Sequence, residues 1–373
     1  MQTGPLVQIG RYEVKDKVAA GGMATVYRAV QTGIGGFRSV VALKVLHPHL
    51  AREDQFRKMF LEEARIGALL QHRNLLPVLD YGEEEGVYFL VNEYFPSDSL
   101  EQLIKKAGKI PLQEALYILA EVADGLGALH EAQDLDNKRL GLIHRDISPQ
   151  NVLVGTDGRL KLIDYGIVKK DDPTEKTRPG VVKGKCRYMS PEQAGGEVLT
   201  PASDIYALGV VLVRMLSGKR PHGEGSTGEI MARARMGLDP ESELKRLKLP
   251  ENVRDIILKM LDKEAGKRYK NAAIVVQEAR KALTSVASPY DMHSFERWLT
   301  RQNSPRKKGG KAAAKTAAAK GGKGRASTLH RTSLRAEPTY MDTRGIHPKW
   351  IFFGLAGLFG VALMGYLISQ LVG

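Results

Sequence analysis

Three oxygen-bearing side chains recur at fixed intervals in the middle of the chain. HRDISPQN (residues 144–151) supplies Asp146 and Asn151, and LIDYG supplies Asp164 thirteen residues after Asn151. The first stretch reads as a loop that aims an acid at a hydroxyl and an amide at a metal ion. The second places a carboxylate on a tight turn beside an apolar strand. This set constrains the chain more than any other feature, because it fits phosphoryl transfer, which needs little covalent help and much positioning. Such a site must cover the phosphates, hold a divalent cation with oxygen ligands, offset developing charge and orient the attacking hydroxyl.

Candidates for the remaining tasks lie upstream in a consistent order. VAAGGMATVYRA (residues 18–29) reads as a small-residue turn over phosphates, through Ala19, Ala20, Gly21 and Gly22. VALK ends a strand at Lys44, and a helix nineteen residues on offers Glu63 as its ion partner. Taken singly, each has a plain explanation: small-residue turns are common, and lysines and glutamates are mostly solvated. Five elements in one order at these spacings exceed coincidence.

Around these motifs, residues 11–286 read as mixed α/β, strands first and helices after. RYEVKDKVAAGGMATVYRAV and SVVALKVL are β-branched runs broken by glycine and suit an antiparallel sheet. DQFRKMFLEEARIGALLQH sets Phe56, Phe60, Ile66 and Leu70 at helical spacing, and VYFLVNEYF is strand-like. LQEALYILAEVADGLGALH, SDIYALGVVLVRMLSG and ENVRDIILKMLD read as helices, and residues 287–300 as one more short helix.

These residues resemble the eukaryotic-type (Hanks-type) serine/threonine protein kinases found in bacteria, over about residues 11–286. VALK matches the strand-three lysine, Glu63 the helix-C glutamate and HRDISPQN the catalytic loop. IDYG matches the D-F-G turn with Tyr165 for Phe, MSPEQ the A-P-E motif, Asp204 the aspartate of the central helix, and Arg268 the partner of Glu192. The resemblance implies an α+β bilobal kinase fold, with a small β-rich lobe, a larger helical lobe and ATP in the cleft. It assigns Asp146 as base, Lys44 and Glu63 as the phosphate-holding ion pair, and Asn151 and Asp164 as ligands of Mg²⁺, with Mn²⁺ as alternative. The nucleotide would meet Ala19, Ala20, Gly21, Gly22, Val26, Ala42, the gatekeeper Asn92, and the hinge residues Glu93, Tyr94 and Phe95. His144 is structural in the family and takes no proton-transfer role.

Two departures stand out. Ala19 and Ala24 replace the usual first and third glycines, and alanine restricts positive φ. Ser148 occupies the place of the phosphate-touching lysine, while Lys185 occupies the place of a bracing threonine. The pair is consistent with an ammonium moved across the cleft, Lys185 reaching the γ-phosphate and Ser148 bracing the base; a solvated Lys185 is the bland alternative. Lys44, Glu63, Asp146, Asn151 and Asp164 are all retained, so an active enzyme acting on serine or threonine of proteins, itself included, is expected. A nucleotide-binding pseudokinase scaffold is the rival, and a small-molecule kinase fits less well with MSPEQ and SDIYALG.

The resemblance gives Arg145 a regulatory role, receiving a phosphate on Thr177 or Thr174. Cys186 is the only cysteine, which excludes an intrachain disulfide and suits a reducing compartment. An adjacent lysine such as Lys185 can lower a thiol pKa, but a lone cysteine is most often a packing residue, and that is the expectation for Cys186.

Of the formal charge of +14, residues 301–349 carry a net +11. That segment is rich in Lys, Ala and Gly and reads as a disordered tether that attracts anionic lipid. Phosphates on its serines and threonines would weaken that attraction. Nucleic acid is not expected, since no Tyr, Phe or Trp interleaves with the charges before Tyr340. Thr339 and Asp342 in EPTYMD resemble a ligand of a phosphothreonine-reading domain. Residues 350–372 are uncharged and would span ~34 Å as a helix, enough for one membrane crossing. With basic residues only before this segment, the kinase domain is expected in the cytoplasm and the C-terminus at the outer face of the inner membrane. The N-terminal residues lack a signal-peptide core. Ala356 and Gly360 form a small-xxx-small pair suited to a homodimer.

Overall fold

The computed structural model describes residues 8–165, 185–287 and 289–303. β1 (Gln8–Ile9), β2 (Tyr12–Ala20), β3 (Ala24–Thr32), β4 (Arg38–Leu46), β5 (Val78–Glu84) and β6 (Val87–Glu93) form one antiparallel sheet in the order β1-β2-β3-β4-β6-β5. The period-2 alternation sorts β4 into two faces. Val41 and Leu43 are buried with Tyr12, Ala29, Phe89 and Val91, whereas Ala42 and Lys44 turn the other way. Register then sets Val26 beside Lys44 and Ala42 beside Asn92 on that second face. The expected antiparallel sheet is therefore present and aligns the nucleotide candidates.

Helix α1 (Asp54–Leu69) packs on this sheet through Phe60 and Ala64, which join Ala24, Leu46 and Leu90. Leu70 is buried as expected, but it has left the helix (φ −87°, ψ 100°). Gly67 permits a close approach: a Cβ there would lie 2.3 Å from Val78 Cγ2.

The second lobe is helical because α3 (Leu112–His130) and α5 (Pro201–Ser217) are apolar on nearly every side and must be enclosed. α8 (Glu251–Met260) covers α5 and α9 (Ala272–Val286) covers α3. α2 (Leu100–Ala107) starts with a Ser99–Gln102 capping box, and Thr200 with Ser203 does the same for α5. β7 (Ser97–Ser99), β8 (Val152–Gly155) and β9 (Leu160–Leu162) form a small sheet under the cleft. α4 (Pro191–Gly195), α6 (Thr227–Met236) and α7 (Pro240–Leu247) complete the lobe.

The helix expected over residues 287–300 is instead α10 (Met292–Asn303). It starts late because the Asp291 carboxylate accepts from Ser294 N–H (2.8 Å), and it continues because Phe295 and Leu299 are buried against the lobe. Residues 304–349 and 350–372 lie outside the described residues, as do the tether and membrane readings. Among the described residues no helix is long and apolar enough to cross a membrane.

Candidate active site

The base candidate is set by backbone held from behind. Asp204, on α5 and 1% exposed, accepts from the backbone N–H groups of His144 (2.7 Å) and Arg145 (2.8 Å) and pairs with His130 Nε2 at 2.9 Å. Arg145 sits in the left-handed region (φ 62°), a strained conformation for a long side chain. The Asp204 bond on one side and Gln193 Nε2 donating to Arg145 O (2.8 Å) on the other hold it there. Asp146 follows, nearly buried.

Asn151 donates through Nδ2 to Asp146 O (2.8 Å) and through its backbone N–H to Ser148 O (3.0 Å). With Nδ2 committed, Oδ1 is the end of the amide suited to a cation. Ile163 N–H donates to Asn151 O (3.0 Å), tying this loop to the turn that carries Asp164. His144 is buried and its ring nitrogens meet no partner among the described residues. Burial lowers its pKa and keeps it neutral, and it stands edge-on to Tyr165 (6.0 Å, 84°), as a structural residue should.

Lys44 joins the lobes. Its Nζ lies 2.6 Å from Glu63 Oε1 on α1 and 2.9 Å from Asp164 Oδ1. Burial opposes the ammonium, yet Asp164 and Glu63 outweigh it and raise its pKa. Burial also raises the Glu63 carboxyl, with Lys44 opposing; at 2.6 Å the two form an ammonium–carboxylate pair. Asp164 is left-handed (φ 55°) with its side chain half exposed to the cleft. Asp164 and the Asn151 amide are hard oxygen donors, and no group of three or more His, Cys, Asp or Glu among the described residues forms a self-contained metal cage. This fits Mg²⁺, which takes one or two protein ligands and completes its shell with phosphates and water.

On the nucleotide side, β2 and β3 close in a turn with Gly21 N–H donating to Ala24 O (2.9 Å). Ala19 and Ala20 lie within β2, and none of Ala19, Ala20, Gly21, Gly22 and Ala24 has positive φ. The alanines therefore stand where any residue can, and the restriction expected of them is not felt. Asn92 Nδ2 donates to Pro77 O (3.1 Å), as does Glu93 N–H (3.4 Å).

A buried cation beneath the hinge escaped the sequence reading. Lys161, 5% exposed, pairs with Glu93 Oε2 at 2.8 Å. It also lies 5.7 Å from the Phe95 ring centre, with the Arg159 guanidinium at 5.4 Å. The signal was a lysine inside the apolar run LKLI. Behind the loop, Arg268 grips Glu192 through two bonds (2.7 and 2.9 Å). Burial pushes that carboxyl up, but hydrogen bonds from Arg268 and Ser203 hold it down at about 2.

Ser148 is buried in the loop, and its carbonyl accepts from Asn151 N–H. Lys185 opens a 3-10 turn, Lys185–Tyr188, but its side chain, Thr174 and Thr177 lie outside the described residues. Cys186 is buried as a packing residue, and burial raises its pKa, against the lowering that Lys185 could have given.

A β-rich lobe and a helical lobe thus enclose a lysine–carboxylate pair, an acid and an amide, the arrangement of a nucleotide-dependent phosphotransferase. Residues 12–279 match the family described as "Protein kinase domain", and the chain belongs to that family, whose members use ATP and Mg²⁺. It is 37% identical over 72% of its length to Tyrosine-protein kinase MasK of Myxococcus xanthus, and 34% over 70% to Serine/threonine-protein kinase PrkC of Bacillus subtilis. It is 36% identical over 70% to Serine/threonine-protein kinase PknA of Mycobacterium tuberculosis. The chain spans 42%, 39% and 59% of those three relatives. The crystal structure of the M. tuberculosis PknI kinase domain shares the fold (TM-score 0.56, 24% identity, 75% of this chain and 99% of that one).

Proposed function

We propose that this chain is an ATP-dependent serine/threonine protein kinase that also phosphorylates itself. The observation that carries the reading is the three-way contact of Lys44, Glu63 and Asp164, facing a catalytic loop whose Asp146 and Asn151 are fixed by backbone bonds. In the reaction Asp146 accepts the proton of the substrate hydroxyl as its oxygen bonds to the γ-phosphorus. The bond from that phosphorus to the bridging oxygen breaks, and ADP leaves with the electron pair. Lys44 neutralises phosphate oxygens and Glu63 holds Lys44 in place. Asn151 and Asp164 would hold Mg²⁺, which supplies charge neutralisation at the triphosphate when bound. The motif positions of Ser148 and Lys185 support a relocated ammonium, with Lys185 as the cation near the γ-phosphate. Arg145 is the proposed receiver of a phosphate on Thr177 or, second, Thr174.

The test uses the full chain with Mg²⁺ and γ-labelled ATP, followed by identification of the labelled amino acid. Label on serine or threonine that falls at least ~100-fold with Asp146→Asn supports the reading. Label on tyrosine, the activity printed in the name of MasK, overturns the residue choice, and nucleotide binding without label establishes the scaffold.

Residues 350–372 are proposed as a single inner-membrane anchor, with the kinase domain cytoplasmic and the chain's C-terminus at the outer face. Residues 301–349 would bind anionic lipid. Pairing through Ala356 and Gly360, and a phosphothreonine-reading partner at Thr339, rest on sequence pattern. Extraction of the full chain from membranes by salt alone, without detergent, would remove the anchor.

A further inference from the structure

The residue after Asp164 carries a hydroxyl that the family's usual phenylalanine lacks. Tyr165 is buried, and its Oη donates to Leu76 O (3.0 Å), with Leu162 O at 3.4 Å. Its acceptor belongs to a short crossing segment already laced to β9. Leu162 N–H donates to Asn74 O (2.8 Å) and Leu76 N–H donates to Leu162 O (3.0 Å). Tyr165 adds a side-chain rung to this backbone ladder.

The same segment reaches two other parts of the site. Pro77 O accepts from Asn92 Nδ2 and from Glu93 N–H at the hinge. Val78 abuts Gly67 of α1, the helix that presents Glu63 to Lys44. Residues 74–78 are therefore the junction of hinge, ion-pair helix and metal-holding turn, and the phenol is a side-chain bond from that turn into it.

We propose that Tyr165 is a positioning residue for phosphoryl transfer: its hydroxyl, latched onto Leu76 O, holds Asp164 in the orientation that faces Lys44 and a nucleotide-borne divalent cation. The proposal rests on the kinase reading above. Its physical content is an equilibrium between a latched turn and one swung away. The cation binds the latched turn, so removing the rung lowers the population that can accept it. One neutral hydrogen bond changes that equilibrium constant by roughly fivefold, which sets the upper limit of its effect on binding.

The experiment compares the full wild-type chain with Tyr165→Phe, which removes one oxygen and keeps the ring against His144. Calorimetry measures the affinity of a non-hydrolysable imido analogue of ATP with Mg²⁺ and with a chelator, and the affinity of adenosine. The ratio of the two analogue affinities should fall, by up to about fivefold, in Tyr165→Phe while adenosine binding stays unchanged. Amide exchange over residues 160–165 should quicken by a similar factor. An unchanged Mg²⁺ ratio overturns the latch, and faster exchange with an unchanged ratio does so as well, because the hydroxyl is then only structural. A wild-type chain whose analogue affinity does not respond to Mg²⁺ overturns the kinase reading instead, so the two failures are distinct.

Discussion

The two halves of the site are built by different means. On the large-lobe side, the backbone around Asp146 hangs from Asp204, on a helix enclosed by the main core. On the small-lobe side, Lys44 stands on a sheet backed by a core of six buried residues, and Glu63 on a helix seated on a cluster of five. The Lys44 ion pairs join those two to Asp164, beside the packing of α1 on residues 75–78. The acid half is therefore part of what folds the protein. The cation half rests more on side-chain ion pairs, so losing one of them is expected to cost less stability than losing Asp204.

Perturbing each half should separate stability from activity. Asp204→Ala leaves two buried N–H donors and His130 without their acceptor, and should cost about 3–5 kcal/mol, a fall in Tm of about 10 °C by calorimetry. Glu63→Gln should leave Tm within about 3 °C yet lower kcat/KM about 100-fold, since Lys44 loses its brace. Equal effects on Tm from these two variants would mean that both halves are equally part of what folds the protein. Lys185→Met should lower kcat by roughly tenfold or more if its ammonium serves the γ-phosphate, as a charge aimed at the transition state does; normal turnover removes that role.

Glu192 sharpens the large-lobe side through pH. Its folded pKa of about 2 lies below the ordinary carboxylate value. Its stabilisation is thus fully present above pH ~4.5 and is lost as pH falls toward ~2. Urea titrations should show the wild type's advantage over Glu192→Gln shrinking by about 3 kcal/mol across that window. The smallest effect belongs to the phosphate turn. Ala19→Gly and Ala24→Gly should each cost about 0.5–1 kcal/mol with kcat within twofold, because neither site needs positive φ.

The acid, amide and carboxylate were legible because phosphoryl transfer tolerates few residue types at few spacings. Lys44 meets Glu63 and Asp164, and Asn151 meets the Asp146 backbone, in the order the motifs run. What escaped depends on contacts between residues far apart in sequence. Period-2 alternation offers Lys161 to either face of LKLI, and only folding shows Glu93 waiting there. A tyrosine for phenylalanine reads as a conservative change until Leu76 O appears within bonding distance. The left-handed turns at Arg145 and Asp164 carry no glycine to announce them. Adjacency to Lys185 says nothing of depth, and the buried Cys186 thiol has its pKa raised rather than lowered.

Helix α10 ends on the large lobe, where Asn303 accepts from Lys106 of α2 and Phe295 rests on Tyr117 of α3. Any tension in the polypeptide beyond Asn303 is therefore borne by the heavier half of the molecule. Movement of the lighter half relative to the heavier one would leave that attachment point where it is.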